Sequence, residues 1–323
     1  MITNPHVAIS AALLAAVSTG CGGGAATAPP TGVATEAADT PSDGPGLEAP
    51  AVRRLPRNVD YVMRVHLGPV RGTTFEAVVL GRLPLSPAGA DRDLQNDVLA
   101  HTEVVTIGLG EEAVGWVFEG ELGHRFDTVI ERFSANGTPT VTGSAGQRSV
   151  GDERTAIGEV GESAMTVHIP AAAAVETGDI PPAVVSHALQ RLAAALPAVP
   201  ARRAILFEAW AAPAWGIFRE LKLVVRMTYG VASNDVHIDA ALLYPDAEMA
   251  AARASGWAEF WGAFVEESPE SFDRDSAAIR RDGAELVLHH ELRGLFDEPS
   301  ANQRVIMWTL ASLAAHQPSM NFH

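Results

Sequence analysis

Cysteine is nearly missing from this sequence: there is one in 323 residues. A single thiol excludes an intrachain disulfide framework, so a folded domain here relies on its core. Positive charge is also scarce. Lys and Arg total 23 against 39 Asp and Glu, for a net charge of −16. No basic stripe stands out, which removes the electrostatic footprint of a nucleic-acid binder and the attraction of a peripheral protein for anionic lipid. The apolar stretch from Val7 to Val17 falls well short of the about 20 residues a bilayer-spanning helix needs. No H-E-x-x-H and no G-x-x-x-x-G-K-[ST] occurs.

The one cysteine is placed with some care. Cys21 follows the apolar run "VAISAALLAAV" and the small residues Ser18, Thr19 and Gly20, and three glycines come after it. The run has the length of a signal-peptide h-region. Residues 7–22 resemble the lipobox of bacterial lipoproteins, although Ser18 stands where Leu is usual. The resemblance implies cleavage before Cys21 and acylation of its thiol. A plain secretory signal with an incidental cysteine is the competing reading. Residue 22 is Gly and not Asp, so the inner-membrane retention signal is lacking and the outer membrane is the expected destination.

Residues 22–50 are rich in Gly, Ala, Pro and Thr and contain no aromatic residue. Such a segment cannot bury enough apolar surface to offset its ordering entropy and reads as a flexible tether. The expected organisation is a signal peptide over 1–20, an acylated cysteine and linker over 21–50, and two α+β subdomains over 51–170 and 171–323.

Within the first subdomain, "NVDYVMRV" alternates as a strand, with Tyr61, Met63, Val65 and Leu67 on one face. Residues 71–80 read as a short helix and 84–97 as a polar loop. "TEVVTIGL" and "EEAVGWVFEGEL" form a hairpin, followed by an amphipathic helix with Phe126, Val129, Ile130 and Phe133 at helical spacing. Three short β-branched segments close the half. The second subdomain opens with a helix starting at Pro181 and Pro182 and ending at Pro197. A strand over 203–211 and a strong strand pair, "FRELKLVVRMTYG" and "NDVHIDAALLYPD", come next. A long helix capped by Asp246, the strand "AELVLHHEL" and a C-terminal helix over 300–316 complete it. Adjacent strand pairs contradict a parallel, doubly wound sheet. The expected class is α+β with mostly antiparallel strands and helices on one face. Both halves run hairpin then amphipathic helix, which suggests duplication of one unit.

No catalytic constellation, metal site or cofactor motif is assigned. "HHEL" at 289–292 places His289 and Glu291 on one strand face and His290 on the other with Leu286 and Leu288, without a second ligand cluster in sequence. "TGSAG" at 142–146 lacks the glycine two before its serine and the helix that a nucleophile elbow needs. "GLGEEAVG" at 108–115 runs into a strand where a dinucleotide site needs a helix, so its glycines read as turn residues. Glu119 and Glu121, and Glu266 and Glu267, read as solvated acids on an acidic chain. Aromatics carry more weight. Trp210 and Trp215 flank Pro213, and Trp257 and Trp261 are an i,i+4 pair on one helix face. These four are the candidate binding surface, since desolvated aromatics contribute disproportionately at interfaces.

The layout of lipobox, Pro/Ala/Thr-rich tether and an α+β domain opening on "DYVMRV" resembles uncharacterised lipoproteins of GC-rich Gram-negative bacteria, myxobacteria in particular. That implies a lipid-anchored envelope protein, non-catalytic, held to the membrane through its anchor and binding an envelope protein or a small-molecule ligand. The alternative is an anchored hydrolase with a scattered active site.

Overall fold

A computed structural model describes residues 46–71, 92–110, 112–135, 140–151, 155–169, 171–172, 186–212, 222–230, 235–267 and 278–293. Twelve strands among them form one sheet in which every pairing is antiparallel. They are β1 Val59–His66, β2 Thr102–Gly110, β3 Val114–Gly120, β4 Thr140–Thr142, β5 Ser149–Gly151, β6 Ala156–Val160, β7 Ala164–Ile169, β8 Arg203–Ala211, β9 Lys222–Gly230, β10 Asp235–Leu243, β11 Ala278–Asp282 and β12 Glu285–Arg293. The spatial order is β11-β12-β10-β9-β8-β1-β2-β3-β7-β6-β5-β4. Four helices accompany them: α1 Arg92–Ala100, α2 Arg125–Ala135, α3 His187–Ala195 and α4 Ala247–Glu267.

The strand order is symmetric about the β1/β8 seam. On each side three strands step outward in chain order, a helix follows, and the last strand of the half returns beside the third. The seam itself is a continuous ladder with Arg64 opposite Glu208, so the sheet is not interrupted between the halves.

Strand alternation divides the side chains between two faces. Met63, Val65, Ile107, Phe118, Val225, Met227, Ile238 and Leu288 point to the first face. Val98 and Leu99 of α1, Phe126 and Val129 of α2, and Ala250 of α4 pack on it. The fold is thus α+β, a large antiparallel sheet with α1, α2 and α4 packed on one face. Part of the second face is also apolar: Val62, Trp210, Val224 and Ala241 meet Leu189 and Leu192 of α3 and the N-terminal residues Leu47, Val52 and Leu55. Covered on both sides, β10 is buried at eight of its nine positions.

Local chemistry explains several boundaries. Asp246 caps α4, its Oδ1 accepting from the Met249 N–H at 2.7 Å. Ser186 caps α3, with extended φ/ψ and Oγ accepting from the Leu189 N–H. That cap moves the start of α3 to His187, beyond the expected start at Pro181. The loop expected over 84–97 gives way to α1 from Arg92. β5 and β11 were not anticipated: β5 has three residues, and β11 reads "AIRRD", an edge strand exposed along most of its length.

Folded structure begins by Gly46, ahead of the expected Ala51. Leu47 and Ala49 are buried, and Gly46 sits at φ +48° against the Trp210 ring, where an added Cβ would stand 2.5 Å from Cζ2. Gly108 and Gly115 are partners in the ladder, not turn residues. Their missing side chains leave room for Leu55 and Pro56 to lie on the sheet. The helices expected over 71–80 and 300–316 fall outside the described residues. Among the described residues no helix is long and apolar enough to cross a membrane.

Candidate functional site

Beyond the apolar patch under α3, the second face turns polar. One residue in two on β1, β8, β9, β10 and β12 points there, and the register aligns them. Thr106, Arg64, Glu208, Arg226, Asp239 and His289 are successive cross-strand partners over six adjacent strands. From Arg64 to His289 the ionisable groups alternate between base and acid. Opposite charges facing each other across strands stabilise the pairing.

This row is largely out of water. Arg64, Thr106, Glu208 and Asp239 are buried. The Glu208 carboxylate accepts from Arg226 Nε at 3.1 Å and lies 3.9 Å from His66 Nε2. Arg226 also donates to the Pro197 carbonyl, beyond the end of α3. Arg64 donates to Thr106 Oγ1 at 3.4 Å and pairs with Glu119 at 3.5 Å. His289 Nδ1 and Asp239 Oδ1 are 2.6 Å apart. Buried pairs of this kind do not win stability over apolar isosteres, but removing one partner strands the other.

A second row lies one step along the strands. Asp235 and His237 share this face with Asp239 on β10, and Glu291 of β12 is the direct cross-strand partner of His237. Asp235 Oδ2 is 2.6 Å from His237 Nε2 and 3.2 Å from Arg203 Nη2. Asp235 and His237 are buried, and Glu291 is half-buried. The His237 and His289 rings lie 5.4 Å apart, tilted by 38°.

The environments separate the histidines. Burial drives His66 down to about 3, with Arg64 adding to it, so His66 is neutral. The hydrogen bond to Asp239 raises His289 against the opposing effect of burial. Burial pushes the Asp235 carboxyl up, but the His237 hydrogen bond and the charges of His237 and Arg203 outweigh it and hold the group below its ordinary range. On the helix-covered face His290 is pressed down to about 3, by burial first and then by His289.

The residues singled out in the sequence are distributed unevenly. His289 and Glu291 share a face and His290 takes the other, as the strand pattern predicts. What sequence spacing missed is the partner cluster, which "DVHID" of β10 supplies. The signal was present as alternating Asp235, His237 and Asp239 within a strand predicted from its apolar positions. Of the four tryptophans of the candidate binding surface, Trp210 is 1% exposed and lies inside the second-face core. Trp257 and Trp261 fall on α4, with their side chains outside the described set, and Trp215 lies outside the described residues. Glu119 holds Arg64, while Glu121 is exposed beyond the end of β3. The serine of "TGSAG" sits in an exposed turn between β4 and β5 with no helix after it. Cys21 precedes the described residues.

These features define an α+β protein built on an open antiparallel sheet with fixed charges across one face. Among solved structures, that of TP0453 in its crystal form III superposes with a TM-score of 0.50 at 10% identity, over 81% of this chain and 100% of that one. Crystal form I of TP0453 gives a TM-score of 0.47 at 10% identity, over 83% and 99% of the two chains. The likeness is one of fold. No protein-family description matches the chain, and no curated protein matches it.

Proposed function

We propose that this protein is a lipid-anchored component of the bacterial cell envelope that binds a partner or small ligand and does no chemistry on it. The observation that carries the reading is the order of segments at the N-terminus. An h-region ends at the only cysteine, an aromatic-free segment follows, and folded structure begins by Gly46. Diacylation at Cys21 holds such a chain firmly, at about 0.8 kcal/mol per buried CH₂, and the segment between gives the domain reach. The outer membrane is the proposed site, in keeping with Gly22.

The charged face speaks against catalysis because most of its groups are committed to one another. Arg226 is tied to Glu208, Arg64 to Glu119, His289 to Asp239, and Asp235 to both His237 and Arg203. An anchored hydrolase is the second reading, and the two Asp–His pairs favour it, since a histidine oriented by a carboxylate is half of a nucleophilic triad. Among the described residues no serine, threonine or cysteine is hydrogen-bonded to His237 or His289.

The test is metabolic labelling with an alkyne fatty acid and membrane fractionation. Wild type takes the label and pellets with membranes, and Cys21→Ala does neither. An unlabelled wild type, or a Cys21→Ala variant that stays with the membrane, overturns the anchor. Turnover in a broad esterase and glycosidase panel that is lost in His289→Ala decides for the hydrolase.

A further inference from the structure

The geometry points to a divalent transition-metal site formed by Asp235, His237 and Glu291 at the β10–β12 end of the charged face. It goes beyond the anchored-binder reading and does not depend on it. One donor atom from each of these three residues lies within 4.8 Å of the other two. The strands enforce that proximity: His237 and Glu291 are cross-strand partners, and Asp235 points to the same side of the sheet two residues from His237. The ligands therefore sit on rigid ladder positions.

His237 is the buried donor of the set, 4% exposed. Its Nε2 stands 2.6 Å from Asp235 Oδ2, so an ion shared by the two residues enters on that side of the ring and replaces their hydrogen bond. Half-exposed Glu291 and His289 leave a way in for an ion.

The donor set selects the class of cation. One imidazole nitrogen and two carboxylates suit zinc and its neighbours, with water completing the shell. Calcium and magnesium favour all-oxygen sets. Charge balance is also workable. Arg203 draws on Asp235 from 3.2 Å, and the Asp239–His289 pair stands alongside. Arg203 keeps the two carboxylates from repelling each other before an ion enters, and it makes the site a weaker one than a closed structural zinc site.

The experiment uses the full chain in detergent, stripped with EDTA and titrated with Zn²⁺ against a chromophoric chelator. A Co²⁺ titration follows the visible absorption of the bound metal. We expect one equivalent of Zn²⁺ in wild type, a thermal midpoint raised by Zn²⁺ and not by Mg²⁺, and at least tenfold weaker binding in both His237→Ala and Glu291→Gln. Glu291 is half-exposed, so Glu291→Gln keeps the test alive if the buried His237 variant fails to fold, which circular dichroism reports. No saturable uptake by wild type, or a folded Glu291→Gln that binds as wild type does, overturns the site.

Discussion

The two faces of the sheet are made by the same strands and have opposite chemistry. Under α1, α2 and α4 the face is mostly hydrocarbon, with Val105, Ile107 and Leu242 fully buried and His290 a buried polar group among them. The other face is apolar only where α3 and the N-terminal turns cover it, and then carries Arg64, Glu208, Arg226, Asp239 and His289 in one row. A side-chain period of two lets each strand hold two independent messages, and register makes the second one legible only when strands distant in sequence are aligned. The first face holds the fold together. The second holds charges in place, at a cost in desolvation that a purely structural surface has no need to bear.

Substitutions sharpen that contrast. Phe126→Ala, from a residue 1% exposed on the helix-covered face, should lower stability by about 4 kcal/mol, read as a shift in denaturant midpoint at unchanged slope. Glu208→Gln strands Arg226 and should lose about 3 kcal/mol, while Glu208→Leu with Arg226→Leu together should recover most of it. A pair that recovers nothing would break the distinction, because the charges would then be essential to the fold. Gly46→Val forces a side chain into the Trp210 ring at a positive φ and should cost about 2 kcal/mol. Limited proteolysis of that variant should show earlier cutting near residue 46. Val141, 45% exposed on the edge strand β4, should tolerate Lys within about 0.5 kcal/mol.

Much of the fold is written locally. The hairpins β2–β3 and β9–β10, the long helix α4 and its Asp246 cap all follow from alternation, helical spacing and a capping residue. The short edge strands are not so written, because three- and five-residue strands carry too few positions for a period. The Gly108–Gly115 pair was misjudged as turn residues for a related reason: glycine signals backbone proximity or a turn equally well, and only Leu55 and Pro56 packing above it decides. The candidate site was half legible. His289 and Glu291 were visible on their strand face, but Asp235 and His237 lie some fifty residues earlier and meet them only through the β10–β12 register. Trp210 lies in the strand expected over 203–211, but that its face is covered by α3 and the first folded residues shows only in the packing of segments distant in sequence.

The most direct test of the two-faced account is a site-resolved histidine titration by NMR on the full chain. The sign follows from each environment. His66, held down to about 3 mainly by burial, stays neutral while the unfolded chain takes up a proton, so its contribution to stability is intact above its unfolded value near 6.5 and is lost as the pH falls toward about 3. His289, raised by its bond to Asp239, contributes below that unfolded value, and its contribution is lost as the pH rises through its folded value. The account predicts that the His289 resonances titrate above the ordinary histidine value and that those of His66 do not move between pH 8 and pH 5. Two histidines titrating together near the unperturbed value would contradict it, because the charged row would then be solvated surface and not a set of charges fixed inside the fold.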